Sequence, residues 1–143
     1  MESLSLESAM RIIDGALAQG ARLQLKPLTV AVLDGGGHLI ALQRQDQSGI
    51  LRPQIAQGKA WGALGMGAGS RALAQKADDA PAFVGALITA SQGRLIPAPG
   101  GVLIRDSRGA VVGAVGISGD RAEKDEECAI HGIQSVGLVA DPG

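Results

Sequence analysis

Residues 28–44, LTVAVLDGGGHLIALQR, set two apolar runs on either side of Asp34-Gly35-Gly36-Gly37-His38. Each glycine in a helix interior costs about 1 kcal/mol relative to alanine, so three together exclude a helix here. The flanking runs have strand length and are rich in β-branched and aliphatic side chains. The stretch is therefore predicted to be a β-hairpin with strands at Leu28–Leu33 and Leu39–Arg44. A phosphate cradle is excluded, because neither Gly-Lys-Ser/Thr nor a helix follows the glycines. Three glycines exceed what a tight turn needs. A ligand or a neighbouring subunit is expected to pass close to this backbone, with His38 a candidate to touch it.

Around the hairpin the hydrophobic period is helical, then strand-like, then helical again. Ser5 caps a helix to about Gly20, with Leu6, Met10, Ile13 and Leu17 as its apolar stripe. Pro53 opens a helix over 52–65, and Ser70 and Asp79 read as caps of short helices over 71–77 and 81–90. Val102–Arg105 and Val111–Ser118 form a second hairpin across a turn at Asp106–Gly109. RLIP, at 94–97, is expected as a short edge strand, since Pro97 and Pro99 cannot sit in a central one. A final helix is expected over 121–138. This order predicts an α+β fold with a meander-like antiparallel sheet rather than alternating βαβ units. Neither a repeat nor a linker divides the chain, so residues 1–143 read as one domain.

Composition narrows the function classes. The chain carries one Phe, one Trp and no Tyr, so it lacks the stacking platforms that grip single-stranded nucleic acid. A formal charge of -1 removes the electrostatic case for nucleic acid or an anionic membrane. The single cysteine, Cys128, excludes an internal disulfide and fits a reducing compartment. MESLSLESAM has neither a basic start nor a long apolar run, and no stretch has membrane-spanning length, so a cytoplasmic location is expected.

Two helices carry charges on faces that should be apolar. At about 100° per residue, Ala122, Ala129, Ile130, Ile133 and Gly137 share one side of the last helix, with Glu126 among them and Asp125 close by in its first turns. Lys124 and Cys128 fall behind. In the second helix Leu51, Ile55, Gly62 and Met66 share a side with Lys59. Buried charges need partners or a wet cavity. Either Lys59 snorkels and Glu126 is an edge charge, or Lys59, Glu126 and Arg44 line a shared pocket for an anionic ligand. Glu123, Glu126, Cys128 and His131 point in different directions and read as a solvated acidic face rather than a metal site.

The blocks AVLDGGGHLIALQRQD (31–46), IAQGKAWGAL (55–64), IPAPGGVLI (96–104) and VVGAVGISGDRAEKDEECA (111–129) resemble, in order and spacing, those of the GlcG/HbpS-like haem-binding and haem-degrading family. The C-terminal domain of PduO-type corrinoid adenosyltransferases belongs to that family too. The resemblance implies a profilin-like domain, with a five-stranded antiparallel sheet flanked by helices on both faces and assembly into a homo-oligomer, a dimer or larger. It also implies a cleft shared by Asp34, Gly36, Arg44, Lys59, Gly100, Gly101, Asp125 and Glu126.

Three functions follow as expectations. In the first, the cleft binds haem or a small carboxylated metabolite. Lys59 and Arg44 pair with carboxylates, the Gly100 and Gly101 amides hold an oxyanion, and His38 or His131 approaches iron. In the second, the chain is a cofactor-free isomerase, tautomerase or lyase in a catabolic pathway. There Glu126 or Asp125 moves a proton while Lys59 stabilises an enolate. In the third, the charges serve a structural oligomer, with Gly58 and Gly62 permitting close helix contact.

Overall fold

The computed structural model describes residues 3–143; Met1 and Glu2, where the N-terminal targeting expectation begins, lie outside the described residues. The elements run α1 (Leu6–Arg22), β1 (Thr29–Asp34), β2 (Leu39–Arg44), α2 (Arg52–Met66), α3 (Ser70–Asp79), α4 (Pro81–Ala90), β3 (Gly101–Arg105), β4 (Val111–Ser118), α5 (Ala122–Ser135) and β5 (Val139–Asp141). The strands form one five-stranded antiparallel sheet in the order β2-β1-β4-β3-β5. The expected α+β architecture is what the chain adopts.

Alternation along the central strands gives the two faces different characters. Val30, Val32, Val102, Ile104, Val115 and Ile117 pack with α1 and α5 in the larger core. The opposite face carries Leu33, Leu103 and Ala114 under Ala60 and Ala63 of α2. Glycine extends that smaller face: a Cβ on Gly116 would run into the Ala56 carbonyl, and one on Gly101 into that of Lys59. The small residues of strands and helix together let α2 lie almost on the sheet backbone.

Several boundaries differ from expectation. The buried stripe of α1 is Ala9, Ile12, Ile13, Ala16 and Gly20, leaving Leu6 and Met10 exposed. Its small residues permit close packing on α5, where a Cβ on Gly132 would press on the Ile12 carbonyl. Cys128 faces this core and is fully buried, not behind the helix. The last helix stops at Ser135, and Gly137 (φ +79°) turns the chain into β5, which pairs with β3. That strand is the fifth one. RLIP is not a strand: the Ile96 amide donates to the Gly58 carbonyl, pinning the segment to α2 rather than to the sheet. Ser70 and Asp79 lie inside α3, and the residues that precede α3 and α4 are Gly69 and Ala80. Among the described residues no helix is long and apolar enough to cross a membrane.

Candidate functional site

Lys59 points from α2 towards the sheet and passes the start of β3. Its Nζ donates to the Ile117 carbonyl at 2.8 Å and to Asp125 Oδ2 at 3.1 Å. The other oxygen, Oδ1, accepts the Asp120 amide at 3.0 Å, so Asp125 also closes the loop that leads into α5. Both residues are essentially sealed from water, at 3% and 1% exposure. Burial lowers the Lys59 pKa, and Asp125 works against that shift. Burial likewise raises the Asp125 pKa, opposed by Lys59 and the Asp120 amide. Each charge is thus tolerated through the other. Arg52 sits nearby, donating to Ser118 Oγ at 3.0 Å.

Gly100 makes room for this contact. Its φ of +119° lies where side chains are rarely tolerated, and a Cβ there would stand 3.0 Å from both Lys59 Nζ and the Ile117 oxygen. The amide of Gly101 is not open to a ligand. It donates to Ser70 Oγ at 2.7 Å, and that hydroxyl donates to the Ala98 carbonyl at 2.6 Å. The expected oxyanion role for this amide gives way to an internal tie.

Glu126 has a different partner. Arg71 of α3 grips its carboxylate through Nη2 at 2.6 Å and through Nε at 3.1 Å to each oxygen. The Glu126 side chain is 4% exposed and that of Arg71 56%. The bidentate contact raises the Arg71 pKa further. Lys59, Glu126 and Arg44 therefore do not share one pocket: the first two belong to separate ion pairs. Arg44, on the outer strand, is exposed and donates to the Ser48 carbonyl at 2.9 Å. Arg71 escaped sequence reasoning because nothing in a short polar helix shows which residue meets a carboxylate 55 positions later.

The glycine turn lies at the other end of β1. Asp34 Oδ1 accepts the amides of Gly36 (2.9 Å) and His38 (3.0 Å), and the Gly37 amide donates to the Asp34 carbonyl at 3.0 Å. Within the triplet, positive φ is confined to Gly37, at +83°, where a Cβ would also crowd Trp61. Asp34 pairs with Gly113, whereas Val30 pairs with Ile117. Four residues of strand, about 13 Å at 3.3 Å per residue, thus separate the turn from the level of the Lys59 contact. His38 is exposed at this tip and His131 is half-buried on α5. Among the described residues no three His, Cys, Asp or Glu side chains cluster to hold a metal ion.

A thin antiparallel sheet sandwiched by helices, with the buried Lys59–Asp125 pair and the half-exposed Arg71–Glu126 pair joining its two helical layers, defines a class of small α+β domains. The chain belongs to the HbpS-like haem-degrading protein family, whose sequence model matches residues 4–134. It is 25% identical over 136 residues to the corrinoid adenosyltransferase PduO of Citrobacter freundii, covering 95% of this chain but only 40% of that protein's length. The structure of HbpS superposes with a TM-score of 0.82 at 25% identity, over 96% of this chain and 92% of that one. The structure of a PduOC:haem complex has the same fold, with a TM-score of 0.86 at 24% identity over 96% and 97% of the two chains.

Proposed function

We propose that this chain binds haem. Membership of the haem-degrading HbpS-like family across residues 4–134 carries that reading. The shared fold with PduOC in its haem complex supports it. His38 is the first candidate to hold the iron, because its ring is exposed while Asp34 fixes its backbone. His131 is the second. Haem supplies an iron centre that accepts an imidazole ligand and two propionates that seek cations. The exposed Leu39 next to His38 offers apolar surface to a porphyrin face, and Arg44 on the same strand is exposed to meet a propionate. Lys59 takes no part, being committed to Asp125.

A porphyrin lying on a hairpin tip keeps its second face in water unless another subunit covers it. Homo-oligomerisation, dimeric or larger, is therefore part of the proposal. Exposed apolar side chains elsewhere, Ile50 at 94% above all, are consistent with it. So are work as one domain and a cytoplasmic setting, where Cys128 stays a thiol.

Titration of the purified protein with haemin tests the proposal, read in the Soret band together with light-scattering mass. A saturable, stoichiometric Soret shift is expected, lost in a His38→Ala, His131→Ala double variant and retained in His131→Ala alone. A spectrum indistinguishable from haemin adsorbed on an unrelated protein overturns it. Retention of the shift in the double variant removes both histidines as ligands.

A further inference from the structure

A groove of about 380 Å³ runs between the first half of α2 and the segment that follows α4. Its apolar wall is Leu51, Ile55 and Ile96, and its polar rim is Gln54, Gln92 and Arg94. Among the described residues no carboxylate lines it. None of its lining residues belongs to the hairpin tip proposed for haem, from which the Trp61 ring separates Arg94, and a chain that bound no haem would keep it.

Three features show that the groove is built into the fold. Gly58 forms part of its floor, where a Cβ would overlap the Arg94 carbonyl and Ile96, so the 94–96 backbone lies directly on α2. Gln92 and Gly93 follow one another in left-handed conformations, φ +56° and +79°. A non-glycine residue there costs about 1–3 kcal/mol and persists only where its surroundings enforce it, and this pair turns the chain back along the groove. The Arg94 guanidinium is fixed in turn, its carbon 4.2 Å from the centroid of the Trp61 ring. Among the described residues Arg94 has no carboxylate partner.

An exposed apolar wall facing an arginine held in place, without an acid to neutralise it, matches one ligand chemistry. We propose that the groove binds small amphipathic monocarboxylates, the hydrocarbon part lying on Leu51, Ile55 and Ile96 and the carboxylate meeting Arg94. The Gln54 and Gln92 amides complete the polar rim. The volume suits a ligand of medium-chain or single-ring size and is too small for a porphyrin.

Hexanoate, hexanol and hexanamide are the probes, titrated into the isotopically labelled full chain while amide resonances are followed. Saturable shifts confined to 51–58 and 92–96 are expected for hexanoate, with a Kd of about a millimolar for so small a ligand. Hexanol and hexanamide should bind about tenfold more weakly, the worth of one charge-assisted contact. Arg94→Gln should weaken hexanoate by the same factor and leave hexanol unchanged, and its own spectrum reports whether the chain still folds. Ile55→Glu, on the other wall, should abolish hexanoate binding by repulsion. Equal binding of hexanoate and hexanol, unsaturable shifts, or an Arg94→Gln variant with undiminished affinity overturns the proposal. Haemin titration of the wild-type chain reads the haem proposal without hexanoate, so failure of either proposal stays distinct from failure of the other.

Discussion

Lys59 Nζ stands 3.1 Å from Asp125 Oδ2, although the two residues belong to helices packed on opposite faces of the sheet. The lysine reaches Asp125 past the start of β3, where Gly100 has no side chain to block it. Arg71 and Glu126 make a second link from α3 to the same helix. The charges expected to meet a ligand instead hold the two helical layers together. A buried pair gains little over a well-packed apolar pair, but removing one member strands the other.

Lys59→Met is accordingly expected to lower stability by about 3–5 kcal/mol at neutral pH, measured by urea unfolding. The loss should shrink as pH falls. Burial already raises the Asp125 pKa, and without Lys59 the folded-state value rises further above the unfolded one. A raised value contributes stability that is present at acid pH and lost as pH rises through the folded pKa. A pH-independent difference between wild type and variant would remove the buried carboxylate from this account.

Gly100→Ala is expected to cost at least about 2 kcal/mol, since it combines an unfavourable φ with contact on Lys59 Nζ and the Ile117 carbonyl. Gly35→Ala, in the exposed turn with its nearest neighbour 3.6 Å from the added Cβ, should stay within about 0.5 kcal/mol of wild type. Thermal melts of the two variants side by side make the comparison. Equal effects would contradict the crowding at Gly100.

Arg71→Met leaves the Glu126 carboxylate without its bidentate partner and should destabilise the chain by about 1.5–3 kcal/mol. Arg71→Lys is expected to restore only part of this, because an ammonium cannot grip both oxygens in one plane. Full rescue by lysine in denaturant unfolding would show that charge alone matters here.

Cys128 packs in the larger core, and burial pushes its thiol up to about 11. It should resist a thiol-disulfide reagent at about pH 8 in the native protein and react within seconds in guanidinium. Rapid native reaction would mean that α5 opens readily.

The chain's local patterns determined the two hairpins, because three glycines between apolar runs and a strand-period switch near residue 101 leave a short chain few alternatives. They likewise located α2 and α4 and marked Lys59 and Glu126 as charges on apolar faces. What those charges meet was decided by tertiary structure alone. Asp125 lies beside Glu126 in sequence, yet it is Asp125 that receives Lys59, while Glu126 turns to an arginine on a helix of no distinctive pattern. The fifth strand was hidden for a related reason: Val139–Asp141 is too short for a period and is a strand only because the β3 edge stands open beside it. Periodicity records which way a side chain points from its own element. It carries no information on what another element, tens of residues distant, brings to meet it.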